Sequence, residues 1–100
     1  MPSPFTAGKI IAGGERWLTV DVLKIGERKV APSWGDWATV SLSPDGRRVV
    51  WNEMEEAAYP VWMNYFYLDS RGGPACAVTR LKFGSGGMPL WVTREQMTTP

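Results

Sequence analysis

The sequence predicts an all-β domain: a small barrel or sandwich of about five to seven antiparallel strands with one short helical segment. Three observations carry that expectation. Short runs of β-branched and aromatic residues are interrupted roughly every eight to twelve residues by Gly, Pro, Asn or Asp. Apolar residues alternate with period two along these runs, and helical spacing is nearly absent. The 100 residues, 44% of them hydrophobic, fit a single domain over 1–100, with 1–8 as an extended N-terminal arm carrying Pro2, Pro4 and Phe5.

The first element expected is a short strand at 9–12, leading across Gly13-Gly14 into a strand at 16–25. Leu18, Val20 and Val22 fall on one face of the second strand, and Trp17, Thr19, Asp21, Leu23 and Ile25 on the other. Apolar residues on both faces predict a central strand covered from two sides. Next comes the strongest local signal, Ser43-Pro44-Asp45-Gly46-Arg47. Pro presets φ at the first turn position, Asp accepts local hydrogen bonds, and Gly takes the left-handed conformation. A three-residue loop here pairs 37–43 with 47–51. That register puts Ala38, Val40, Leu42 and Val50 on one face, and Trp37, Thr39, Ser41, Val49 and Trp51 on the other. The run from Leu42 to Trp51 resembles the Ser-Pro-Asp-Gly hairpin of TolB-type β-propeller blades. The resemblance covers about a tenth of the chain. A propeller needs at least four blades and this chain holds one such hairpin, so the likeness is one of turn chemistry.

Asn52-Glu53-Met54-Glu55 has capping-box spacing and Pro60 stops any helix before it, so the helical segment is expected over 53–59. A strand at 61–68 follows, with Val61, Met63, Tyr65 and Tyr67 on one side and Trp62, Asn64, Phe66 and Leu68 on the other. Asp69-Ser70-Arg71-Gly72-Gly73-Pro74 turns the chain into a strand at 75–83. Gly84-Ser85-Gly86-Gly87 reads as a flexible loop, 90–92 as a closing strand and 93–97 as a final helical turn.

Several function classes lack the residues they require. Cys76 is the only cysteine, which excludes an intrachain disulfide and a cysteine-based zinc or iron–sulfur site. Its place between two alanines in a strand predicts a small buried hydrophobe. There is no His to act as acid or base near neutral pH. Glu53, Glu55 and Glu56 read as a solvated acidic cap, Asp45 belongs to its turn, and the glycine loop lacks the Gly-Lys-Ser/Thr ending of a phosphate cradle. The expectation is a protein without catalytic residues, metal or cofactor. The longest apolar run falls far short of the ~20 residues that span a bilayer, and the N-terminus shows neither a basic nor an apolar leader region. No membrane association is expected, and the setting is cytoplasmic or within a viral particle. A small inhibitor encoded by a phage or mobile element has this size and composition.

The feature that departs from ordinary usage is aromatic: six Trp, three Tyr and three Phe. Trp17, Trp62 and Trp91 lie in strand-like segments where packing accounts for them. Trp34 and Trp37 sit instead in Pro32-Ser33-Trp34-Gly35-Asp36-Trp37, a run of turn formers, where an aromatic side chain exposes apolar surface unless it meets a partner. With the hairpin register above, Trp37 and Trp51 share a face bordered by Arg47. Trp34, Trp37, Trp51 and Arg47 are therefore the candidate partner-binding residues, of the types that dominate binding hot spots. Asp36 and Glu53 near the tryptophans disfavour phosphates, and a net charge of +1 supplies no bulk attraction to a polyanion. A protein partner, bound as by an adaptor or inhibitor, is the first expectation. Single-stranded nucleic acid stacked on the aromatics and self-association as a particle subunit are the alternatives.

Overall fold

Two antiparallel sheets build the fold in the computed structural model, which describes residues 3–55, 59–84, 89 and 91. The strands are β1 (Phe5–Ala7), β2 (Ile10–Gly13), β3 (Leu18–Val20), β4 (Leu23–Ile25), β5 (Arg28–Ala31), β6 (Ala38–Leu42), β7 (Arg48–Met54), β8 (Trp62–Asp69) and β9 (Cys76–Lys82). The smaller sheet has the order β1-β4-β5 and the larger β2-β3-β6-β7-β8-β9. The all-β expectation holds. The two sheets do not close into a barrel, and the strands among the described residues differ from those expected: the arm and the strand at 9–12 divide into β1 and β2, the strand at 16–25 divides into β3 and β4, and β5 is an element not anticipated from the sequence.

Both breaks occur at one corner. β1 and β4 pair in the small sheet while β2 and β3 pair in the large one, so residues 5–25 form a single long hairpin folded over at its middle. Asp21 staples the fold. Its Oδ1 accepts the Lys9 amide at 2.6 Å and the Val22 amide at 2.7 Å, while its own amide donates to the Lys9 carbonyl at 3.1 Å. Gly8 makes room for this arrangement, since a Cβ there would lie 2.8 Å from Asp21 Oδ2. The corner advances the side-chain phase by one: Leu18 and Val20 before it, and Leu23 and Ile25 after it, all pack on the same core. The two-faced apolar pattern of 16–25 is thus two one-faced strands in different sheets, not one central strand covered twice. In the expected N-terminal arm, Phe5–Ala7 is β1, with the Phe5 ring buried in that core.

The hairpin at 43–48 forms where expected but with a different register. Ser43 and Arg48 close it, the Ser43 amide donating to the Arg48 carbonyl at 2.8 Å, so the loop holds Pro44, Asp45, Gly46 and Arg47. Ser43 Oγ donates to Asp45 Oδ1 at 2.6 Å and accepts the Arg48 amide at 3.0 Å, which takes Arg47 into the turn; Gly46 adopts φ 71° as the motif requires. The extra loop residue pairs Val40 with Trp51, Ser41 with Val50 and Leu42 with Val49. A slip of one residue exchanges the faces of the second strand. Val49 and Trp51 therefore join Ala38, Val40 and Leu42 on the core side, while Val50 lies opposite with Ser41.

That core gathers Phe5, Leu23 and Ala31 from the small sheet and Val20, Ala38, Val40, Val49, Trp51 and Leu68 from the large one. On the outer face of the large sheet a second cluster forms from Val50, Met63 and Tyr65, with Trp17, Tyr67, Leu81 and Trp91 packed against it. Alternation along 61–68 is as the sequence predicts, with Met63 and Tyr65 outward and Phe66 and Leu68 inward. No helix occurs among the described residues. Asn52, Glu53 and Met54 instead continue β7, paired with Tyr65, Asn64 and Met63, and the Glu55 amide donates to the Trp62 carbonyl at 2.8 Å. The long apolar run of β8 offers these residues a complete ladder, which outweighs a capping signal of one turn. Cys76 is exposed on the edge strand β9 rather than buried, because no further strand pairs with β9 among the described residues. Residues 56–58, the glycine loop after Gly84, and the expected helical turn at 93–97 lie outside the described residues. So does the expected strand at 90–92, apart from Trp91, which lies in no strand and stands 6.5 Å from the Tyr67 ring.

Candidate functional site

The segment between β5 and β6 leaves the sheets as a loop because Pro32, Ser33, Gly35 and Asp36 all favour turns; Gly35 has φ 84°. One carboxylate ties this loop down. Glu53 Oε1 accepts the Ser33 amide at 2.8 Å and also the Ser33 hydroxyl, and Glu53 Oε2 accepts the Trp51 indole N–H at 3.1 Å. The loop is thereby joined to the core through the tryptophan on which that core is built.

Held in this way, the loop presents Trp34 and Trp37 with 48% and 53% of their surface exposed. Between them and the end of the large sheet lies a cavity of about 80 Å³, lined among others by Asp36, Asn52, Met54 and Met63. Met54 and Met63 are cross-strand partners at the end of the β7–β8 ladder, so the register of that ladder sets one wall. Asn52 is only 6% exposed, and its Oδ1 has no hydrogen-bond partner among the described residues.

Replacing Glu53 by Ala is expected to lower stability by about 1–2 kcal/mol, since hydrogen bonds to a charged acceptor are lost from a partly exposed site. For a domain of this size that is a fall of roughly 5–15 °C in melting temperature. Glu53→Gln, which keeps one acceptor oxygen, is expected to lose less. Thermal melts of the two variants check both statements.

Beside the loop, a second carboxylate organises the inner face of β8 and β9. Glu55 Oε1 accepts Arg80 Nη2 at 2.9 Å and Oε2 accepts Arg80 Nε, while Asn64 donates to Oε2 at 3.0 Å. The Arg80 guanidinium lies 4.1 Å over the Trp62 ring. The hydrogen bond from Arg80 holds the Glu55 carboxyl below its ordinary value; the Ser43 hydroxyl does the same for Asp45, and the Arg71 amide for Asp69. Carboxyls depressed in the folded state bind protons more readily when the chain is unfolded. Their contribution is therefore complete above roughly pH 5 and is lost as the pH falls through the depressed values, below roughly 4. Melting temperature should be flat above pH 5 and drop below 4, and Glu55→Gln should make that drop shallower.

Of the four residues expected to bind a partner, the structure brings two together. Trp34 and Trp37 border one cavity. Trp51 does not share their surface: it is 2% exposed and stacks on Phe66 with ring centroids 5.7 Å apart. The four-residue turn that turned Trp51 inward is the cause. Arg47 is exposed in that turn, beyond the opposite end of β6 from Trp37, roughly 15 Å or more away at strand spacing. Asn52, Glu53, Met54 and Met63, which also line the cavity, were not among the candidates, since 53–59 read as helix and the strand at 61–68 had no partner assigned to it. The alternation of 61–68 was the available signal, because a strand of that length needs a partner as long as 48–54.

Among the described residues no group of three Cys, Asp or Glu gathers to hold a metal ion, and no helix is long and apolar enough to cross a membrane. Compared with protein-family models, curated proteins and solved structures, the chain matches none.

Proposed function

We propose that the domain is a non-enzymatic binding module that engages a protein partner through the 32–37 loop, with Trp34 and Trp37 as its central contacts. The observation that carries this reading is the pair of half-exposed tryptophans on a loop anchored to the core through Glu53. An aromatic side chain displayed by a pinned loop loses little conformational freedom on binding, which favours affinity. Asp36 and the absence of Lys or Arg from the cavity lining among the described residues favour a protein surface over a phosphate backbone. Affinity capture from a host lysate, with and without nuclease, tests the reading. A stoichiometric protein that survives nuclease and is lost with Trp37→Ala supports it; material lost to nuclease alone transfers the role to single-stranded nucleic acid.

Self-association is a second reading with its own support. Among the described residues neither edge strand of the large sheet has a further partner, and both carry exposed apolar residues: β2 with Ile10 and Ile11, and β9 with Val78. Open edges of this kind add strands from another chain. A native mass that rises with concentration, and falls back in an Ile11→Lys variant, is the expected sign.

A further inference from the structure

The cavity beside the tryptophan pair has a one-sided chemistry. Trp34 and Trp37 line it, and indole rings attract cations through the ring quadrupole. Met54 and Met63 offer polarisable thioethers that pack against aliphatic stems. Asp36, on the wall, makes no ion pair with another described residue. Asn52 carries its buried, unpartnered carbonyl oxygen. Among the described residues no Lys or Arg lines the cavity. The charged side chains on the wall among the described residues, Asp36 and Glu53, are both anions, and a volume of about 80 Å³ admits a compact head group in place of several waters. A neutral apolar occupant would satisfy the rings and thioethers while desolvating Asp36 without compensation, and an anion would be repelled.

We infer that the cavity is a socket for the ammonium head of a lysine, free or methylated, presented by the protein partner. This rests on the reading of the 32–37 loop as a protein-binding surface. The methylene stem lies between the indoles and the methionines, and the charge meets Asp36. Other groups near the loop leave that carboxylate available: Glu53 is occupied by Ser33 and Trp51, and Glu55 by Arg80 and Asn64.

The test is a titration of the purified full chain with three capped Gly-Lys-Gly peptides carrying free, trimethylated or acetylated lysine, read from the six indole N–H resonances. Trp34→Phe and Trp37→Phe assign the two signals. The expected result is saturable movement of the Trp34 and Trp37 signals with a charged peptide, at least tenfold weaker with acetyl-lysine and weakened about as much by Asp36→Asn. Whether the free or the trimethylated peptide binds more tightly distinguishes the two forms of the head group. Equal response to acetyl-lysine, or no movement at these two signals with any peptide, overturns the cation socket. Neither failure touches the wider reading, which stands or falls on whether Trp37→Ala abolishes capture of a partner.

Discussion

Trp51→Ala is expected to be the most destabilising single tryptophan substitution in this protein, costing about 3–5 kcal/mol. The side chain is 2% exposed, stacks on Phe66, and lies in the core that unites the two sheets. Truncation leaves a cavity among Val40, Val49 and Leu68, and it also removes the indole N–H that Glu53 accepts. Because small domains are stable by only about 5–15 kcal/mol, the variant is expected to lose a large share of its stability, with a midpoint lowered by about 15 °C or more. Thermal and urea melts measure this. A variant that melts with the wild type would mean that Trp51 does not fill the core.

The second large effect falls on binding rather than stability. Trp37→Ala is expected to weaken the partner by about 2 kcal/mol or more, at least roughly thirtyfold, as truncation of a central aromatic anchor does. Stability should change by no more than about 0.5 kcal/mol, since half of the side chain is already in water. Trp34→Ala should act in the same direction. The contrast with Trp51→Ala matters because the two tryptophans were expected on one face of one hairpin and are placed by the register in opposite environments.

How much was legible in the sequence follows from what each signal can fix. Period-two alternation and turn chemistry located β2, β6, β8 and β9 and the turns between them, because those signals are local. The hairpin loop was found but its length was not: Ser-Pro-Asp-Gly-Arg-Arg accommodates a loop of three or four residues, and the choice rests on Ser43 Oγ accepting the Arg48 amide. One residue of difference reversed Trp51 and Val50. The corner at Asp21 was hidden for the opposite reason. A change of phase between Val20 and Leu23 looks like a two-faced strand until the Lys9 amide is known to meet the Asp21 carboxylate from another part of the chain. At the site, Trp34 and Trp37 were legible because aromatic residues in a run of turn formers have nowhere local to pack. Asn52, Met54 and Met63 were not, because their place in the wall depends on the long β7–β8 register, and the clamp by Glu53 depends on a contact twenty residues away in sequence.

The most direct measurement is the affinity of the captured partner, by calorimetry, for the wild-type chain, Trp37→Ala and Trp62→Ala. Trp62 serves as the control, being partly buried beneath Arg80 on β8 and outside the 32–37 loop. A loss of at least thirtyfold with Trp37→Ala and near wild-type affinity with Trp62→Ala is the predicted result. Full affinity in the folded Trp37→Ala variant would contradict the assignment of the loop as the contact surface.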